Sequence, residues 1–249
     1  MSINPGILLG HPIELSKICK IYPPTLHEVL STAEYSIYES IFLVSQEDIW
    51  DSLAERDGEI PDNAPTPFQQ LMAKCAASEE YLGLVERAIK FFTHEEVIVQ
   101  PDGDLIFFLE GFEDIKEVGQ LRYLSEESYF YFQNGIRIVT GNETVEPPVV
   151  DESPKARQIK AKLRKRKKLV DEHKKGEKIS LSTMLVALSC MNVGFSLLKE
   201  SGEISYPAIP LLFKMGQEKE RHQTDMLLIA GGADAKKIKP KSWIRETEK

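Results

Sequence analysis

Cysteine is scarce in this chain of 249 residues: Cys19, Cys75 and Cys190 stand far apart. Three isolated thiols form neither a disulfide framework nor a close metal-ligand cluster, and they suit a reducing compartment. Histidine is limited to 5 positions and none falls in an HExxH frame, because His94-Glu95-Glu96-Val97 lacks the second histidine. CxxC, GxSxG, GxGxxG and GxxxxGKS are all missing, so the local signatures of redox, ester-hydrolase, dinucleotide and phosphate-loop chemistry are absent. No apolar run approaches the roughly 20 residues a membrane-spanning helix needs. The opening MSINPGILLG has neither the basic start nor the apolar stretch of a signal peptide, so export by that route is not expected.

What the chain does have is an ordinary globular balance with a skewed charge. Hydrophobic residues make up 42% and charged residues 28%, as in folded soluble proteins. Residues 1–150 carry 26 acidic against 9 basic side chains, whereas residues 151–249 carry 13 against 22. Net charges of −17 and +9 on the two parts favour attraction between them, or to a partner of opposite field.

The first half reads as mixed α and β. Ile7-Leu8-Leu9 and Ile13-Glu14-Leu15 are expected as two short strands around Gly10-His11-Pro12. Thr25 and Glu28 have capping-box spacing, and Leu26, Val29, Leu30, Ala33, Ile37, Ile41 and Val44 continue at helical period, which predicts one helix from Leu26 to about Ser45. A short helix is expected over 47–54. Thr66-Pro67-Phe68-Gln69 repeats the cap signal, and the stripe from Phe68 through Ile89 predicts one helix to about Phe92. Asp102-Gly103 between Glu96–Gln100 and Leu105–Leu109 predicts a hairpin with positive φ at the turn. A short helix from near Ser125 followed by a strand at Ile136–Val139 completes this part.

Periodicity vanishes over 140–154, where proline and acidic residues dominate, so the domain boundary is placed there. The expected organisation is a mixed α/β domain at 1–145, an acidic, Pro-rich linker with a basic helix at 146–180, and a helical domain at 181–249. The fold class is α+β. In the basic stretch, nine of the fifteen residues at 155–169 are Lys or Arg, with only Ile159, Leu163 and Val170 as an apolar line. Lys160, Lys162, Arg164 and Arg166 are its candidate electrostatic docking residues. Such a rod can serve as a spacer, dock on an acidic surface of its own first half or of a partner, track phosphates, or touch a membrane surface. No aromatic interleaves its cations, so base stacking is not indicated. Beyond it, Leu181–Leu198 reads as a buried helix and Pro207–Ala230 as a second, ended by Gly231-Gly232, with Trp243 in a short tail.

No constellation for chemistry emerges. Asp102 and Asp104 begin like a calcium loop that Leu105 fails to continue. His27 reads as a structural or surface residue, Cys190 as a small core residue, and His222 with Glu218, Glu220 and Asp225 as a solvated surface. The chain is read as non-enzymatic, with no cofactor and no metal.

Two stretches together carry a family likeness. ILLGHPIELSKICKIYPPTLHEV near the start and YPAIPLLFKMGQEKERHQTDMLLIAGGADAKKIKPKSWI near the end resemble tail-region proteins of phages infecting Gram-positive bacteria, described as tail assembly chaperones or baseplate-associated components. The resemblance spans about the first 45 and last 50 residues, and the basic insert departs from it. It implies a protein that binds phage tail proteins, either the tape-measure protein or baseplate subunits, in the host cytoplasm during assembly. A retained part of the virion tail or baseplate is the structural alternative, and a nucleic-acid-binding accessory protein using residues 155–178 a third. Leu212, Phe213, Met215, Met226 and Leu227 are the candidate protein-binding residues, in a groove between the two late helices. The same side chains also suit the core of that helical module.

Overall fold

Two threonines open helices through the reciprocal bonds their spacing spells. The Glu28 amide donates to Thr25 Oγ1 at 3.2 Å while the Thr25 amide donates to Glu28 Oε2 at 2.7 Å. Thr66 and Gln69 repeat the arrangement, with both bonds at 3.2 Å. A computed structural model describes residues 5–57, 60–61, 63–109, 122–145, 159–160, 163–164, 180–191, 203–234 and 238.

The chain is α+β. In order, the elements are α1 (Pro5–Leu8), β1 (Ile13–Leu15), β2 (Cys19–Ile21), α2 (Leu26–Ser31), α3 (Tyr35–Leu43), α4 (Gln46–Asp57), α5 (Pro67–Ala77), α6 (Glu79–Thr93), β3 (Val97–Gln100), β4 (Leu105–Phe108), β5 (Tyr123–Leu124), α7 (Glu126–Val139), α8 (Leu181–Cys190) and α9 (Ala208–Ala230). β1 and β2 form an antiparallel pair with Glu14 opposite Lys20. β3, β4 and β5 form an antiparallel sheet in that order, with Val99 opposite Ile106 and Phe107 opposite Tyr123.

Several expected elements are redrawn. The chain at Ile7-Leu8 is a helical turn rather than a strand, closed by Gly10 at φ 82°, and β1 pairs with β2 instead. The single helix expected from Leu26 breaks at Thr32, whose backbone is extended. The break lets Leu26 enter one apolar cluster while Tyr35, Tyr38, Ile41 and Phe42 enter another. The long helix expected from Pro67 breaks at Ser78, which ends α5 through its amide to the Lys74 carbonyl and starts α6 by accepting the Tyr81 amide at 3.2 Å. The hairpin forms where expected, but its loop is a 3₁₀ turn and the positive φ, 48°, falls on Asp104 rather than Gly103. The strand expected at Ile136–Val139 is the last turn of α7, because Phe132, Ile136 and Val139 are all buried on one helical face.

The main core lies between α3, α5, α6, α7 and the inner faces of the sheets, with Phe42, Phe92 and Phe132 fully buried and stacked edge to face. Buried Arg137 on α7 donates to the Leu43 and Glu143 carbonyls, and Gln133 donates to the Val44 carbonyl, so α7 satisfies the otherwise open C-terminus of α3. A second cluster holds Leu185 and Leu188 of α8 with Ile209 and Phe213 of α9, and Leu26 of α2 completes it. A short backbone bridge fastens the same place. The Leu26 amide donates to the Ile204 carbonyl at 2.9 Å and the Tyr206 amide to the Pro24 carbonyl at 2.8 Å. Tyr206 also meets the Tyr35 ring edge-on at 5.4 Å. The extended Tyr-Pro-Pro-Thr approach to α2 is therefore where the late helices attach.

Candidate protein-binding site

α9 is the longest helix among the described residues, with 23 residues spanning roughly 35 Å at 1.5 Å per residue. α8, its packing partner, has 10 residues. The buried stripe of α9 accordingly runs through Ala208, Ile209, Phe213 and Gly216 and stops there. Gly216 is placed by close approach: a Cβ there would come within 2.6 Å of Met191 Sδ at the end of α8. Past this point α9 continues with no buried residue, and its last turns expose Met226 at 49%, Leu227 at 73% and Leu228 at 51%. Leu227 stands 11 residues beyond Gly216, three helical turns on, so it prolongs the buried stripe where α8 no longer covers it.

The five residues expected to line a groove are therefore split. Phe213 is core, and Leu212 is half-buried against the same cluster, so packing claims both. Met215, Met226 and Leu227 are exposed. The run Met226-Leu227-Leu228-Ile229 contains a signal the periodic reading passed over. Four consecutive apolar residues cannot all point to one side of a helix, so Leu228 was open to recognition.

The basic stretch is helical at 159–160 and 163–164. Ile159 and Leu163 are exposed, while Arg164 turns inward onto α4. Its two terminal nitrogens meet Glu47 Oε1 at 2.8 Å and Asp51 Oδ1 at 3.1 Å. Those carboxylates stand one turn apart on α4, a helix opened by Ser45 and Asp48 and anchored through Trp50 to a small cluster with Ile60. Among the described residues of this stretch, Arg164 contacts the acidic part through an arginine fork, whereas Ile159 and Leu163 stay exposed. Lys160 is exposed, and Lys162 and Arg166 lie outside the described residues. The tail with Trp243 and the end of the helix expected to reach Leu198 also lie outside them.

The remaining candidate groups are placed as follows. Among the described residues, no three His, Cys, Asp or Glu side chains gather as a metal site. Asp102 and Asp104 belong to the hairpin turn, and His27 contacts Ser31 one turn away on an exposed surface. Burial pushes the Cys19 thiol up to about 12 and the Cys75 thiol up to about 11, which keeps both as inert, protonated core groups. Cys190, expected in the core, is exposed, because Leu185 and Leu188 take the packed side of α8. Among the described residues no helix is long and apolar enough to cross a membrane. No protein-family model, curated protein or solved structure matches the chain.

Proposed function

We propose that this chain is a non-catalytic phage tail assembly factor that holds an apolar helix of a tail protein against the projecting end of α9. The observation that carries the reading is the exposed Met226-Leu227 stretch on a helix whose buried stripe ends at Gly216. An amphipathic helix laid beside α8 would extend its packing along the uncovered stripe, and methionine adapts to sequences of differing shape. The likeness of both termini to tail-region proteins of phages supplies the class of partner, with the tape-measure protein as the main candidate because its long apolar helices need cover before the tail closes round them. Arg164 is already engaged by Glu47 and Asp51, which favours a structural use of the basic segment over phosphate tracking.

The test is co-expression with a phage tape-measure protein. Wild type should keep that protein in the soluble fraction and co-purify with it. Leu227→Glu, which places a charge on the uncovered stripe at a residue 73% exposed, should abolish both. Retention of the tape-measure protein by Leu227→Glu at the wild-type level would sink the assignment of this surface.

A further inference from the structure

A second face of α9 has a pattern that neither its core packing nor the uncovered stripe uses. Leu211, Lys214, Glu218, Arg221, Asp225 and Leu228 follow one another at alternating spacings of 3 and 4, the repeat of a helix–helix seam. The seam lies opposite Ile209, Phe213 and Gly216. Leu211, Lys214, Arg221 and Leu228 are exposed, and Glu218 and Asp225 half-buried.

Read backwards, the series complements itself. Laid antiparallel on a second copy about a two-fold axis between Lys219 and Glu220, Leu211 meets Leu228, Lys214 meets Asp225, and Glu218 meets Arg221. The axis makes each pairing twice. Leucines close both ends and every charge faces its opposite. In a parallel arrangement each charge would face its own kind, which costs rather than contributes.

We infer that this face of α9 is a self-association surface, and that two copies of the chain pair through antiparallel α9 helices. Charge complementarity selects the occupant: a second copy matches the seam position by position. The surface is separate from the Met226-Leu227 stretch, so the inference stands or falls independently of the proposed function.

The experiment is sedimentation velocity of the full chain over a wide concentration range, on wild type and three charge variants. Wild type should show a monomer–dimer equilibrium that weakens with added salt. Asp225→Lys and Lys214→Asp should each weaken the dimer by roughly tenfold or more, since each places two like-charged contacts in the seam. The double exchange Lys214→Asp with Asp225→Lys should restore it. That variant separates pairing between copies from pairing within the helix. Lys214 also stands one turn from Glu218, and Asp225 one turn from Arg221, so the exchange turns both of those internal pairs into like-charge contacts. Recovery can come only from a second chain. A wild type that stays monomeric, or a double exchange weaker than either single variant, would overturn the inference. Should a charge variant fold poorly by circular dichroism, cysteine trapping decides instead. With Cys190→Ser removing the exposed thiol, Leu211→Cys and Leu228→Cys chains should form a disulfide only when mixed. Linkage of Leu211→Cys chains to each other would contradict the antiparallel register.

Discussion

Replacing Leu26 by alanine removes the one side chain of α2 that enters the cluster of α8 and α9. Leu26 is 0% exposed and packs with Leu185, Leu188, Ile209 and Phe213, so truncation deletes three fully buried carbons. At about 0.8 kcal/mol for each, transfer alone accounts for roughly 2.4 kcal/mol. The flanking backbone bonds from Leu26 to Ile204 and from Tyr206 to Pro24 hold the walls in place, so the cavity collapses poorly and the total should reach about 3–4 kcal/mol. Leu30, one turn later on the same helix, is 56% exposed, and Leu30→Ala should cost less than about 0.5 kcal/mol. Urea unfolding followed by far-ultraviolet circular dichroism measures both, and hydrogen exchange locates the loss. Amides of α8 and the first half of α9 should lose protection in Leu26→Ala while those of α6 keep it. Equal effects of the two substitutions, or a Leu26→Ala loss below about 1 kcal/mol, would refute the claim that α2 completes the late helical cluster.

Three further perturbations have defined outcomes. Gly135→Ala should destabilise by about 1–2 kcal/mol in chemical unfolding, because the added Cβ would run into Ile21 Cδ1; Ile21→Val, which removes that carbon, should recover part of the loss in the double variant. Arg164→Gln should cost about 1–2 kcal/mol in dilute salt and much less in concentrated salt, since it breaks the fork onto Glu47 and Asp51. Burial raises the Glu39 carboxyl above the ordinary carboxylate range, opposed by the bond it accepts from Asn142 at 2.7 Å. A carboxyl raised in the folded state contributes stability that is present below its unfolded pKa and lost as pH rises through the folded value. Glu39→Gln, which keeps the acceptor, should remove that decline just above the ordinary carboxylate range in thermal melts taken across pH.

The local features of the fold were legible because their causes are local. Thr25 with Glu28 and Thr66 with Gln69 need only three residues of sequence to specify a cap, and both form. The breaks at Thr32 and Ser78 were not legible, because apolar period runs on through them and the break serves packing that the period does not report. Ser78 followed by Glu79 and Glu80 was a start signal inside a run already read as helix. Ile136–Val139 suggested a strand through β-branched content, which burial of Ile136 and Val139 in the main core on one face of α7 overrides. At the candidate site, periodicity identified the apolar positions of α9 but not where α8 stops. That endpoint divides Phe213 from Leu227. The opposite charges of the two parts fitted a contact between them or with a partner equally, and only geometry singles out Arg164, on Glu47 and Asp51, from its neighbours.

The proposed role is a transient one in tail assembly, exerted through the end of α9. Quantitative mass spectrometry of purified phage particles against infected-cell lysate tests it most directly. The chain should be present in the lysate during assembly and absent from finished particles. Stoichiometric presence in the particle would contradict it and make the chain a retained tail or baseplate component.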